Sequence, residues 1–259
     1  MGFDLQDKRV IVTAAASGIG QTIARSFLDA GARVHVCDLD EELLEAFRKS
    51  APGLGTTQAD VADPAQVDRL FDDAIARQGG LDILVNNAGI AGPIGPIETL
   101  DPEGWNRAIA VNLTGHFLCA RRAVPLLKQA GGGSIANLSS TAGLFGCPNR
   151  TPYASSKWGV IGLTKTLAME LGPSGIRVNA ICPGSVAGER IERVIRAEAE
   201  SRGVSVDDVR KSYLKQSSMR TFVERDDVAS LVLFICSDRG AKISGQALTV
   251  DGHTETLTV

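Results

Sequence analysis

Tyr153 and Lys157 stand four positions apart in the run Tyr-Ala-Ser-Ser-Lys, so on a helix both side chains project from one face. A phenol titrates near 10 in water, and an ammonium group beside it favours the phenolate. The pair therefore suits proton transfer near neutral pH, with Tyr153 as the base. Ser139 and Ser140 precede it, just past an apolar run ending at Leu138. A hydroxyl there can bind a substrate oxygen and stabilise the charge that develops on it. Local spacing does not choose between the two serines.

A second constellation lies at the start of the chain. Thr13-Ala14-Ala15-Ala16-Ser17-Gly18-Ile19-Gly20 follows the β-branched run Val10-Ile11-Val12 and precedes apolar residues at helical spacing. Small residues at such a turn let a pyrophosphate approach the backbone, and the helix start offers free N–H groups. Asp38 follows 20 residues after Gly18, at the end of the next apolar run. Its carboxylate is placed to accept hydrogen bonds from an adenosine ribose and to repel a 2'-phosphate. Neither Ser17 nor Leu39 supplies a cation to hold such a phosphate, so these residues select NAD over NADP. Asp60-Val61 and Asn86-Asn87-Ala88-Gly89 end two further short strands. Asp60 is suited to the adenine amino group, the asparagines to tying neighbouring strands together, and Gly89 to leaving room for the cofactor.

These residues must be held by elements that alternate. Strands are expected near Val10, over Val34 to Cys37, Gly55 to Gln58, Ile83 to Val85, Ser134 to Leu138, Ile176 to Ile181 and Ala247 to Val250. Helices are expected from Ile19, over Glu41 to Lys49, and from Pro64 behind the N-cap residue Asp63. Further helices are expected over about Pro102 to Gln129, Pro152 to Leu171, Glu189 to Lys215 and Asp226 to Cys236. Such alternation implies one domain, residues 1–259, with a mostly parallel sheet, helices on both faces and ligands at the carboxyl ends of the strands. The segment Glu189 to Lys215 is rich in Arg and Glu and poor in large apolar residues. It is expected to pack weakly, as a lid over about 186–220.

Composition narrows the function. The chain has 259 residues, 44% apolar, with a net charge of -3 and its charges scattered, which gives no basic stripe for nucleic acid or an anionic membrane. Five well-separated cysteines without C-x-x-C or Cys/His spacing indicate no disulfide framework and no metal site, and fit a reducing cytoplasm. The N-terminal residues lack a signal-peptide pattern, Gln6 spoils a myristoylation pattern, and no apolar run is long enough to span a bilayer.

Taken together, Thr13 to Gly20, Asp60, Asn86 to Gly89, Asn112, Ser140, Tyr153 with Lys157, Pro183-Gly184 and Val250-Asp251-Gly252 resemble the short-chain dehydrogenase/reductase family over essentially the whole chain. The resemblance implies a Rossmann-like doubly wound α/β fold and a catalytic tetrad of Asn112, Ser140, Tyr153 and Lys157. Asn112 would hold a water in a proton relay to Lys157, and Lys157 would also bind the nicotinamide ribose. Ser140 is favoured over Ser139 because Gly143 follows it at the family's offset. Backbone around Val186 would bind the nicotinamide carboxamide. A homotetramer is implied, built through the two long helices and the C-terminal strand with its preceding helix.

Three positions depart from the family pattern. Ala14 replaces a glycine of the phosphate turn, which forbids easy positive φ and brings a methyl group toward the pyrophosphate. Gly188 stands where a Thr or Ser usually touches the cofactor, and His253 where a second glycine often follows Asp251-Gly252. The expected activity is hydride transfer between a secondary alcohol and NAD on a small polar substrate such as a sugar, polyol or sugar acid; Arg190, Arg193 and Arg196 fit a polar or anionic substrate such as a sugar, sugar acid or sulfonate, and fit a solvated helix face equally well. The alternatives are an NADPH-dependent 3-oxoacyl reductase, against which Asp38 argues, and a catalytically silent dinucleotide-binding regulator, which an altered Tyr or Lys would have favoured.

Overall fold

A computed structural model describes residues 3–257. Met1 and Gly2, where a myristoylation pattern would begin, and the last two positions of the expected domain lie outside them.

Seven strands form one parallel sheet: β1 (Arg9–Thr13), β2 (Arg33–Asp38), β3 (Gly55–Gln58), β4 (Ile83–Asn86), β5 (Gly133–Leu138), β6 (Ile176–Pro183) and β7 (Ala247–Val250). Their order is β3-β2-β1-β4-β5-β6-β7, so the winding reverses between β1 and β4. Every strand pair is parallel, which requires a crossover after each strand. The central strands are buried on both faces and read as short β-branched runs, as Val10, Ile11 and Val12 show at 0% exposure.

The crossovers are α1 (Gly18–Asp29), α2 (Glu41–Ser50), α3 (Pro64–Gln78), α4 (Pro102–Ile109), α5 (Gly115–Gln129), α6 (Thr151–Leu171), α7 (Glu189–Arg202), α8 (Val206–Lys215) and α9 (Arg225–Cys236). One face of the sheet is sealed by α1 and α9, whose Ile23, Phe27, Val228 and Val232 pack on Val10, Val12 and Val36. The other is sealed by α3 and α5, through Leu70, Phe71, Cys119 and Ala123 against Ile11 and Leu84. Asp63 caps α3 as its spacing predicts, accepting from the backbone N–H groups of Ala65 and Gln66.

Two expectations are revised. The helix expected over Pro102 to Gln129 is interrupted by a π-helical turn, Ala110–Thr114, which carries Asn112. Bulges of this kind leave backbone groups unpaired and concentrate at functional sites. The segment expected as one polar helix over Glu189 to Lys215 is two helices, α7 and α8, parted at Gly203 with φ +64°. Nor does it merely pack weakly. Ile195, Ala199 and Val209 are buried against each other, with Ile191, Tyr213 and Phe222 around them. Arg210 reaches across from α8 to Glu192 on α7 at 2.5 Å, so the pair folds as a unit with its own small core.

Candidate active site

The phosphate turn is positioned by β1, β2 and β4 together. Ala15 donates its N–H to Cys37 O and Ala16 donates to the Asp38 carboxylate, which holds the turn against β2. From β4, Asn87 Nδ2 donates to Thr13 O and Ala14 O, while Thr13 Oγ1 accepts the N–H groups of Asn87 and Ala88. The reversal point between β1 and β4 is thus closed by short side chains. Asn86 continues the tie by donating to Asn137 Oδ1 on β5 at 2.9 Å.

Ala14 does take the left-handed conformation, with φ +50°. That region costs an alanine about 1–2 kcal/mol, and the bonds from Asn87 hold it there. Gly18 lies at φ +61° with open space where a side chain would stand, whereas a side chain at Gly20 would strike Asn87 Nδ2 and Ala14 O. Ser17 begins α1 without capping it by its side chain, so the helix's first N–H groups stay available to an anion, with Ile19 among them. This open, uncapped turn fits a pyrophosphate.

Asp38 is fixed by backbone donors, Oδ2 accepting from Ala16 and Oδ1 from Leu39 and Asp40. Leu39 beside it is 57% exposed. Asp60 is more engaged than its motif suggests: Oδ1 accepts from Ala62 and Oδ2 is ion-paired to Arg107 at 2.8 Å. An adenine amino group would have to share an oxygen with one of them, as a carboxylate's four acceptor sites allow. Val61 is buried against Gly115, where a side chain on the glycine would strike it. Pro183 ends β6, Gly184 donates its N–H to Val250 O, and Val186 bridges to Val223, which closes the base of the segment carrying α7 and α8. Gly188 has φ +135°, and a side chain there would meet Arg225 Nη2, so the space of the family's Thr or Ser is occupied by a guanidinium. His253 is exposed, at φ +64°, and its Nδ1 shares a hydrogen bond with Ser218 Oγ.

Tyr153 lies in the first turn of α6, where Pro152 at the helix start presets the backbone. Lys157, one turn on, is 3% exposed and donates to Leu138 O at 2.8 Å; its ammonium stands 5.7 Å from the Tyr153 ring centre. Burial pushes the phenol up, but the charges of Lys157 and Arg190, a hydrogen bond with Ser140 and the charge of Arg150 outweigh it, and Tyr153 titrates below the ordinary phenol value. Burial lowers Lys157 in turn, against the pull of Tyr153. The two serines are separated by their bonds: Ser139 is buried and donates to Lys157 O, while Ser140 accepts from Ala142 and bonds Tyr153. Only Ser140 faces the phenol.

Asn112 is fully buried in the π turn. Its Nδ2 donates to Ile90 O and Ser156 Oγ, and its Oδ1 accepts from Ile90 N–H. The side chain therefore pins the π turn to the strand-β4 loop and to α6, without a direct bond to Tyr153 or Lys157. Gly89 lies between: a side chain there would come within 3.2 Å of Lys157 Nζ and 3.5 Å of Asn112 Oδ1.

Three neighbours escaped the sequence reading. His116, buried in α5, contacts Ala88 O through Nε2; burial first and then Lys157 hold its pKa down at about 3, so it is a neutral brace for the Ala88-Gly89 loop. Ser156 donates to Tyr153 O and accepts from Asn112. Arg150 stands over the Tyr153 ring at 5.1 Å, which its spacing of three residues could have signalled.

Known proteins share the sequence and the fold of this chain. A family model described as enoyl-(acyl carrier protein) reductase matches residues 13–253. D-beta-hydroxybutyrate dehydrogenase of Rhizobium meliloti is 36% identical, over 95% of this chain and 97% of its own length. The chain belongs to the short-chain dehydrogenase/reductase family. Another family member, the 3-oxoacyl-(acyl-carrier-protein) reductase of Thermotoga maritima, is 35% identical over 96% of this chain and 98% of its own. The crystal structure of levodione reductase superposes with a TM-score of 0.90 at 30% identity, covering 95% of this chain and 97% of that one. The protein is thus an oxidoreductase of this family, whose members use a nicotinamide dinucleotide, and among the described residues no helix is long and apolar enough to cross a membrane.

Proposed function

We propose that the protein interconverts a secondary alcohol and its ketone with NAD, on a small polar substrate. The observation that carries this is Tyr153, bonded to Ser140, with Lys157 buried behind it and its pKa below that of a free phenol. The alcohol oxygen sits between Ser140 and Tyr153; the phenolate takes its proton in oxidation and returns it in reduction. Ser140 donates to the oxygen as negative charge develops there. Lys157 keeps Tyr153 ionisable, and a water held at the π turn of Asn112 returns the proton to solvent.

A nicotinamide dinucleotide supplies the acceptor or donor of hydride at the carbinol carbon. Its pyrophosphate is assigned to Thr13, Ser17, Gly18, Ile19 and Gly20. The adenosine is assigned to Asp38, Leu39, Asp60 and Val61. Asn87, Ala88, Gly89, Tyr153 and Lys157 hold the nicotinamide ribose, and Pro183, Gly184 and Val186 hold the carboxamide. The carboxylate of Asp38, with no cation beside it at exposed Leu39, supports NAD over NADP.

The unit α7–α8 is assigned as the lid over this site. Phe117, Trp158 and Met169 on α5 and α6 are exposed, which supports a homotetramer built on those helices, and reduced cysteines support a cytoplasmic setting. A second reading, a 3-oxoacyl reductase using NADPH, is favoured by the name of the Thermotoga relative and opposed by Asp38.

The test is a panel of secondary alcohols, polyols, sugar acids and 3-oxoacyl thioesters with NAD(H) and NADP(H), repeated with Tyr153→Phe. Turnover is expected with NAD and to fall by about 10²–10⁴ in the variant, with NADH binding kept. Near-normal turnover by Tyr153→Phe refutes the assignment, and activity confined to thioesters with NADPH establishes the second reading.

A further inference from the structure

Three cations converge on the ring of Tyr153. The guanidinium of Arg150 lies 5.1 Å from the ring centre, the ammonium of Lys157 5.7 Å and the guanidinium of Arg190 5.9 Å. They arrive from separate places: the turn before α6, α6 itself, and the first turn of α7. Lys157 has its part in proton transfer. The two arginines add their charge to the phenol's surroundings, but that leaves their N–H groups without a role.

Neither arginine has a carboxylate partner. Arg9, Arg107, Arg122, Arg202 and Arg210 are each ion-paired, whereas among the described residues no ion pair or hydrogen bond engages the guanidinium of Arg150 or Arg190. The Nε–H of Arg150 is also buried without an acceptor. Stacking on the phenol attracts a guanidinium to the ring face but leaves its in-plane N–H groups unanswered. A buried donor without a partner is costly, and three like charges around one half-buried ring repel one another more strongly as solvent is excluded. The missing component is an anion, and the alcohol oxygen's position beside Tyr153 puts the reacting molecule where that anion must be.

We propose that Arg150 and Arg190 bind a carboxylate carried by the substrate a short chain away from the reacting carbon, so that the protein acts on a hydroxy acid and its keto acid in preference to a neutral alcohol. The planar fork of a guanidinium matches a carboxylate with two parallel hydrogen bonds. Arg150, partly buried at the start of α6, is the fixed half of the clamp. Arg190, exposed on α7, is the half that the α7–α8 unit brings. Turnover of such a substrate rests on the oxidoreductase reading above; recognition of the carboxylate does not.

The experiment keeps those two apart. Calorimetry on the NADH complex compares butyrate with its neutral isostere butyramide for the wild type, Arg150→Gln and Arg190→Gln. Turnover is then compared on 3-hydroxybutyrate against 3-hydroxybutyramide, and on gluconate against glucitol. The wild type is expected to bind butyrate at least about tenfold more tightly than butyramide, and each substitution to remove about tenfold of that preference. The acid-over-neutral ratio of kcat/KM should fall in step, chiefly through KM. Equal binding of butyrate and butyramide, no measurable binding of either, or a preference that survives both substitutions overturns the proposal. So does a loss that falls on NADH affinity instead, which would assign the arginines to the cofactor phosphates. A butyrate preference that the substitutions abolish, with no alcohol or ketone turned over, supports the clamp and defeats the oxidoreductase reading.

Discussion

Tyr153 sits in a balance between burial, which opposes its ionisation, and three cations that favour it. Its depressed pKa sets the sign of the pH dependence. Oxidation needs the phenolate, so kcat/KM is expected to rise with pH through the Tyr153 pKa, below 10, and then level. Reduction needs the phenol and falls through the same pKa. Arg190→Gln removes one of the stabilising charges and should move both limbs to higher pH, which a pH–rate profile reads directly; an unmoved limb would show that Arg190 does not reach the phenolate. Asp38 is the residue proposed to select the cofactor. Its carboxylate is held by three backbone N–H groups with no cation at Leu39, so Asp38→Ala with Leu39→Arg should shift the NAD/NADP ratio of kcat/KM toward NADP. Unchanged selectivity would refute the ribose assignment.

Among the elements, the β1–α1 turn shows local sequence and tertiary bonds in conflict. Ala14 disfavours positive φ, yet Asn87 from β4 and the β2 backbone hold the turn in the shape that a glycine would adopt unaided. Ala14→Gly relieves about 1–2 kcal/mol of strain and adds about 0.5–1 kcal/mol of unfolded-state entropy. Urea unfolding should therefore show a net gain of up to about 1.5 kcal/mol, with tighter NAD binding; a loss of stability would mean that the Ala14 methyl packs more usefully than its strain costs. The same reasoning explains the misread polar segment. Arg and Glu dominate α7 and α8, but Ile195, Ala199 and Val209 fall on facing sides, and a pattern split between two short helices is invisible until Gly203 turns the chain back.

For the whole molecule, the sheet order places the reversal point between β1 and β4 and the Tyr153 helix over the later strands, so cofactor turn and proton-transfer residues share one edge. The outer faces of α5 and α6 carry Phe117 and Trp158 at about half exposure, and Met169 beyond that. Burying side chains of this size stabilises an interface by about 1.5–3 kcal/mol each. Phe117→Glu is therefore expected to lower the assembly state seen by light scattering, from the proposed tetramer toward dimer or monomer, with the sheet intact by circular dichroism. A wild-type chain that is already monomeric would overturn the assembly.

The sequence by itself determined the alternation of strands and helices, because hydrophobic period, caps and β-branched runs are local properties, as at Asp63 and Val10 to Val12. It also determined which side chains are chemically competent, since Tyr153 with Lys157, Asp38 and the glycine turn act through residue type and spacing. Between Ser140 and Ser139 residue spacing is silent and the family resemblance alone favours Ser140; the physical reason comes from the tertiary structure, in which the Ser139 hydroxyl is bonded to Lys157 O and that of Ser140 is left for Tyr153. It alone gave Ala14 its positive φ, imposed from a neighbouring strand. And it alone brought Arg190 to the phenol beside Arg150: the two arise 40 residues apart, and the charge they share exists only where β6 and α7 return the chain to α6.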